Sequence, residues 1–152
     1  MAKRLAILLR RDQGVRVVLT RDDDKTVSLA HRVEISNAAA ADLFISIHAN
    51  SLGDARANAV ETYYFGAPAD GDTWRLAQQE NAESGMPIGA FRELVATLGD
   101  TLKRQESVTL AHFVQTQLLA VVMRRTGPLG AGVKVAPFVV LMGLRLRACW
   151  RR

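Results

Sequence analysis

Short apolar runs alternate with polar clusters along the chain, and their spacing predicts both helices and strands. Helices are predicted where apolar residues recur every three to four positions, and strands where β-branched or continuous apolar runs have strand length. The predicted helices are 2–11, 28–40, 74–81, 91–104 and 106–125, and the predicted strands are 15–20, 43–47, 60–65 and 133–141. Because strands and helices alternate, the pattern predicts an α/β domain.

Residues at the ends of these elements support the assignment. Gly14 is expected to end the first helix, and Ser28 to cap the start of the second. The strands lack a clean two-residue alternation, which is typical of a largely parallel sheet covered on both faces. Ligands collect at the carboxyl ends of such strands, so the polar loop 49–58 is the predicted position of a site.

Composition bounds the kind of protein. The chain has 152 residues, 49% of them hydrophobic, which is enough for one packed core. We expect no membrane span, because no uninterrupted apolar stretch approaches about 18 residues. We also expect no signal peptide in this chain, because no small-residue cleavage site follows the first apolar run. One cysteine, Cys149, excludes an intramolecular disulfide and a cysteine-rich metal cluster.

The formal net charge is +5, and part of this excess lies near the C-terminus. A positive field attracts any polyanion and carries no chemical identity. Nucleic acid is not an expected partner, since no stacking surface of aromatic and basic residues accompanies the charge. The arginines that form this basic end are Arg145, Arg147, Arg151 and Arg152.

His48 follows a predicted buried strand at the point where the chain enters a polar loop. A neutral imidazole held there with little freedom could be a zinc ligand, or it could cap the strand or bond the loop, and the spacing leaves both readings open. His31 and His112 fall within amphipathic helices and are interpreted as surface or packing residues. The sequence contains no HExxH, CxxC, Walker or nucleophile-elbow pattern.

Several segments, in order, resemble the zinc-dependent N-acetylmuramoyl-L-alanine amidases of the type-3 catalytic family. The most specific is ADLFISIHANS at 41–51, which is similar to the family pattern almost letter for letter. The other similar segments are VVLTR at 17–21 with Asp24, Leu29 and Arg32, VETYYF at 60–65, EN at 80–81, ES with LA and VQ at 106–115, and GVK with APFVVL at 132–141.

The resemblance implies a three-layer α/β/α sandwich with a mostly parallel sheet, in which the first and last family strands are missing. It divides the chain into a partial amidase domain, 1–143, and an Arg-rich tail outside the family pattern, 144–152. It further implies a peptidoglycan hydrolase that cleaves the amide between the lactyl group of muramic acid and L-alanine with zinc-activated water. The partner would be peptidoglycan, and the location the periplasm or the outside of the cell.

The resemblance also implies the site. His48 is the expected zinc ligand, and Asn50 and Glu61 are expected near the substrate or in support of the metal. Family members use two histidines and a glutamate as ligands and a second glutamate as acid/base. The other histidine and both glutamates have no counterpart here, so no catalytic residue is assigned and the chain alone is expected to be inactive. The alternatives are a non-catalytic remnant that binds peptidoglycan and a basic polyanion-binding module.

Overall fold

The computed structural model describes residues 1–48, 60–67, 70–84, 102–126 and 131–144. The chain divides into two compact units. The first unit comprises Met1–Ala49 with Gly143–Arg152, and the second comprises Asn50–Met142. Each unit has its own helices and its own polar contacts.

Two helices form the regular structure of the described part of the first unit, and both were predicted. Helix α1, Ala2–Gln13, ends at Gly14, whose φ of 64° and ψ of 15° place it in the left-handed region. Glycine adopts this conformation without the steric cost that a Cβ would add. Helix α2, Leu29–Ala38, begins after Ser28, whose hydroxyl oxygen accepts a hydrogen bond from the backbone N–H of His31 at 3.3 Å.

The predicted strands 15–20 and 43–47 are wrong, because the structure assigns neither segment to a sheet. Five apolar side chains in these two segments are between 41% and 50% exposed. A strand requires a hydrogen-bonded neighbour, and β-branched composition alone does not supply one. The exposed apolar residues are Val15, Val18, Leu43, Ile45 and Ile47.

Long polar side chains connect the segments of the first unit. Arg32 donates to the carbonyl oxygen of Val27 at 3.0 Å and to the hydroxyl of Thr20 at 3.4 Å. Arg16 donates to the carbonyl of Ala39 at 2.5 Å. These bonds link α2 to the residues before it. Thr20 and Arg32 of the family-like stretch thus hold segments of the first unit together.

The second unit contains a small parallel sheet. Strand β1, Val60–Phe65, pairs in parallel with strand β2, Ala131–Ala136, in a register that places Val60 opposite Ala131 and Phe65 opposite Ala136. Helix α3, Gly71–Glu80, and a 3₁₀ turn, Ala82–Ser84, follow β1, and helix α4, Leu102–Thr126, precedes β2. Helix α5, Val139–Met142, follows β2.

The structure confirms strand 60–65 and corrects two predicted boundaries. The predicted strand 133–141 ends at Ala136, and Val139–Met142 is helical. Pro137, which is fully buried, has no N–H to donate to a sheet and so interrupts the pairing. Helix α4 begins at Leu102, so the predicted break between helices at residue 105 is also wrong. Most of the predicted helix 91–104 lies outside the described residues.

Small side chains form the centre of the second unit. Helix α4 packs on β1, and α3 packs on β2. Alanines at the contacts allow the backbones of neighbouring elements to approach closely. The buried apolar residues of this unit are Ala77, Ala111, Ala136, Pro137 and Val140.

The parallel β1–β2 pair and the surrounding helices establish an α/β fold. The three-layer sandwich and the domain boundary after residue 143 stay predictions. None of the described helices is long and apolar enough to cross a membrane.

Candidate functional site

The predicted zinc ligand, His48, is exposed and follows the segment 43–47, which has no regular secondary structure, in the first unit. Asn50 lies outside the described residues. Glu61 lies on β1 in the second unit. A mononuclear catalytic zinc needs three protein ligands and an open position for water. Within the described residues, no group of three or more His, Cys, Asp or Glu side chains could hold a metal ion. That part of the chain therefore does not fit a zinc site by itself.

The other histidine of unit 1, His31, has a local partner. Its Nδ1 lies 3.0 Å from Glu34 Oε2, one turn along the exposed face of α2. An exposed pair of this kind within one helix is a common surface feature and contributes little to stability. Glu34 therefore faces solvent beside His31. His112 is exposed on α4.

Glu61 belongs to a polar cluster on one face of the β1–β2 sheet, together with Tyr63 and Lys134. The hydroxyl of Tyr63 donates to Glu61 Oε2 at 2.5 Å. Lys134 Nζ forms an ion pair with Glu61 Oε1. Tyr63 and Lys134 are register partners on the two strands, so their side chains share a face. Both carboxylate oxygens of Glu61 are thus already engaged by neighbouring side chains, which suits a structural role.

The environment of Tyr63 favours its neutral form. Burial raises the pKa of the Tyr63 phenol, and the hydrogen bond to Glu61 and the negative charges of Glu61 and Asp70 raise it further. The ring packs edge to face on Phe138, with centroids 5.4 Å apart and an interplanar angle of 81°. The phenol therefore stays neutral and keeps donating a hydrogen bond to Glu61 across the physiological pH range.

Asp70 connects this face to α3. Its carboxylate accepts from the backbone N–H of Thr73 at 2.8 Å, and the Thr73 hydroxyl lies 3.4 Å from the Asp70 N–H, which completes a capping box. The hydrogen bonds from Thr73 lower the pKa of Asp70, with a smaller contribution from the positive charge of Lys134. Asp70 is therefore held ionised at the start of the helix, where negative charge is favourable.

Gln115 and Asn81 also join the elements of the second unit, and sequence reasoning assigned neither a role. The Gln115 amide donates to the Val60 carbonyl at 2.7 Å and accepts from the Thr62 hydroxyl at 2.6 Å. The Asn81 amide donates to the Pro137 carbonyl at 2.9 Å and accepts from the Val139 N–H at 2.9 Å. The signal that could have found them is an amide side chain within the family-like VQ and EN segments, buried at Gln115 and half-buried at Asn81.

The parallel sheet and its helices define an α/β protein, and the sequence comparison gives its family. The pattern of the family described as N-acetylmuramoyl-L-alanine amidase (Amidase_3) matches residues 1–150. The chain belongs to this family. No solved structure matches the chain at a significant level.

Curated relatives match shorter segments. A stretch of 76 residues, 50% of this chain, is 40% identical to N-acetylmuramoyl-L-alanine amidase LytC of Bacillus subtilis (strain 168) and covers 15% of that protein. Another of 75 residues, 49% of the chain, is 41% identical to N-acetylmuramoyl-L-alanine amidase CwlM of Bacillus licheniformis and covers 28% of it. A third of 54 residues, 36% of the chain, is 44% identical to the uncharacterized protein YqiI of Bacillus subtilis (strain 168) and covers 26% of it. The matched segments thus span 15% to 28% of the relatives' lengths.

Proposed function

We propose that this chain is part of a peptidoglycan hydrolase of the N-acetylmuramoyl-L-alanine amidase type, acting in the periplasm or outside the cell. The bond cleaved would be the amide between the lactyl group of muramic acid and L-alanine of the stem peptide. The family match over residues 1–150 carries this proposal. Amidases of two Bacillus species among its relatives support it.

Within this proposal, His48 is a zinc ligand, while Asn50 and Glu61 support the region that meets the substrate. His48 lies within the segment that most resembles the family, ADLFISIHANS at 41–51. Tyr63 and Lys134 both bond to Glu61, so its proposed contribution is to fix the start of β1 and not to transfer a proton. Glu61 is assigned this supporting role because both of its carboxylate oxygens already have a side-chain partner.

We further propose that the chain alone does not hydrolyse the amide. Of the three histidines in the sequence, His31 and His112 lie in helices α2 and α4, and His48 lies outside both helices, within the segment that resembles the family. A single imidazole binds zinc weakly, because each missing ligand removes an inner-sphere bond. The alternative to a hydrolase component is a remnant that binds peptidoglycan without cleaving it.

Zinc titration and a cleavage assay test these proposals together. We expect weak zinc binding by the wild-type chain, measured by competition with a chromophoric chelator. His48→Ala should abolish it, and His112→Ala, which removes an exposed helical histidine, should leave it unchanged. Equal binding by all three proteins would show that His48 is not a ligand.

The cleavage assay measures stem peptides with new L-alanine amino groups released from purified peptidoglycan. We expect none from the isolated chain, although the chain should sediment with insoluble peptidoglycan. Release of peptides with a free L-alanine amine would contradict the proposed inactivity. If the chain neither cleaves nor sediments with peptidoglycan, both the hydrolase component and the binding remnant lose their support.

A further inference from the structure

A groove of about 660 Å³ runs between α1 and the residues that follow it, entirely within the first unit. Its charged lining is dominated by four basic side chains, Lys3, Arg10, Arg21 and Lys25, against one carboxylate, Asp22. We call this feature the basic groove. None of the residues proposed for the amidase reaction lines it, so it is independent of that function.

Backbone contacts fix the direction of both arginines in the basic groove. Arg10 Nη2 donates to the Val17 carbonyl at 2.6 Å, and Arg21 Nη1 donates to the Lys25 carbonyl at 2.9 Å. A guanidinium has five N–H donors, so one carbonyl orients the group and leaves other donors for a ligand. Orientation before binding lowers the entropic cost of holding an anion.

Acidic neighbours neutralise only part of the charge of the basic groove. Lys25 Nζ lies 3.3 Å from Asp23 and 3.6 Å from Asp22, so these aspartates act mainly on one of the four cations. Lys3 and Arg10 approach from α1, where Arg10 also stands near the helix C-terminus. The groove therefore keeps an excess of positive charge on the side formed by α1.

The walls of the basic groove are apolar. Ile7 and the run Val17–Leu19 line it, and Ile7 and Val18 are 59% and 48% exposed. These apolar side chains lie beside the cations in the lining of the groove. They also offer a surface for an apolar group attached to that anion.

We propose that the basic groove binds a phosphate-bearing anion. Arginine matches phosphate oxygens with paired N–H donors, and lysine adds point charge. The tetrahedral phosphate can accept from α1 on one side and from the segment 17–25 on the other. A free phosphate compound and the headgroup of an anionic lipid share this chemistry, and the apolar walls could also accommodate the beginning of an acyl chain.

Binding to the full 152-residue chain tests the proposal with two probes at low ionic strength. Sodium pyrophosphate is titrated by calorimetry, and flotation measures binding to phosphatidylcholine vesicles with and without phosphatidylglycerol. Binding of pyrophosphate supports a free phosphate source, and binding to phosphatidylglycerol vesicles alone supports a lipid headgroup. No binding to either probe overturns the proposal.

A matched pair of variants distinguishes binding within the basic groove from attraction by the overall positive charge of the chain. Lys3→Gln and Arg4→Gln remove one positive charge each from adjacent positions on α1, but only Lys3 lines the groove. We expect Lys3→Gln to weaken binding of the probe about fivefold and Arg4→Gln less than twofold, since contact interactions with phosphate exceed screened ones. Equal losses would overturn the proposal.

Two further measurements complete the test. Arg10→Gln should weaken binding about tenfold, with circular dichroism confirming that α1 still forms after loss of its bond to Val17. Acetate at the same ionic strength should not displace pyrophosphate. Displacement by acetate would show that the groove does not select phosphate and would contradict the proposal.

Discussion

The two units of this chain differ in how polar side chains join their elements. In the second unit, the joining side chains are buried or half-buried, as Gln115 and Asn81 illustrate. In the first unit, Arg10 and Arg16 donate to carbonyls from exposed positions, in the presence of competing water, whereas the bonds of Arg32 are part-buried. Losing a buried bond leaves an unsatisfied group in a dry environment, whereas water replaces an exposed one. The comparison predicts that polar substitutions cost more in the second unit.

Gln115→Ala is expected to cause the largest loss. Gln115 is 4% exposed, and its removal leaves the Val60 carbonyl and the Thr62 hydroxyl without their hydrogen bonds to its side chain. We expect the free energy of unfolding to fall by about 2–4 kcal/mol, measured by urea denaturation. Gln117→Ala, at an exposed position of the same helix, is the control and should stay within about 0.5 kcal/mol of wild type.

Asn81→Ala should cost about 1–3 kcal/mol in the same measurement, because both amide atoms of Asn81 bond to the chain around Pro137 and Val139. The corresponding variant in the first unit is Asn37→Ala, which removes an exposed bond to the Gly143 carbonyl at 3.0 Å. We expect Asn37→Ala to lower the free energy of unfolding by less than half as much as Asn81→Ala does. Equal losses would show that exposure does not distinguish the two units.

Lys134→Met should lower the free energy of unfolding by about 1 kcal/mol, because it leaves the partly buried Glu61 with one polar neighbour fewer. Lys25→Met, which breaks a fully exposed pair with Asp23, should be indistinguishable from wild type at physiological salt. Double-mutant cycles with Glu61→Gln and Asp23→Asn measure each coupling. A larger coupling at Lys25 would reverse the comparison.

Alkaline pH should weaken the second unit through Tyr63. An unfolded tyrosine ionises near pH 10, whereas burial and Glu61 raise the pKa of Tyr63 in the folded chain. Above about pH 10 the unfolded state therefore loses this proton first, and folding stability falls as pH rises. Urea denaturation at pH 8 and about pH 11 should show a smaller fall for Tyr63→Phe than for wild type. Tyr64→Phe, in the same strand, should retain the wild-type fall.

Ile45→Thr is expected to have the smallest effect, within about 0.5 kcal/mol, because Ile45 is 50% exposed. Val140→Thr, at a position 8% exposed in the second unit, should cost about 1–2 kcal/mol by burying a hydroxyl. If Ile45→Thr and Val140→Thr lowered the free energy of unfolding equally, the segment 43–47 would be buried in solution, as its prediction as a buried strand requires.

Sequence reasoning predicted the features that depend on nearby residues. Helix α1 with its Gly14 terminus and helix α2 with its Ser28 cap were predicted because both signals lie within a few positions of the helix they bound. Strand 60–65 was predicted from its β-branched and aromatic composition. The break at Pro137 was missed because the run GVKVAPFVVL is apolar on both sides of the proline apart from Lys134, although a proline within it should have been interpreted as a strand end.

For the candidate site, the sequence singled out His48, Asn50 and Glu61 by resemblance to the family, and their roles stay predictions. It could not reveal that Tyr63 and Lys134 engage Glu61, because Lys134 is 73 positions away along the chain and meets Glu61 only through the β1–β2 register. Gln115 was missed for the same reason. Its partners, Val60 and Thr62, lie on a strand more than 50 residues earlier.

The sequence by itself determined the family, the α/β class and the helix caps, because these depend on local pattern and composition. The tertiary structure decided which apolar runs become strands, since pairing requires a partner that no run encodes alone. It also decided that Glu61 is held by neighbours and that four cations of α1 and the segment 17–25 share one groove. Such contacts arise from the path of the backbone, which places residues distant in sequence within a few ångströms of one another.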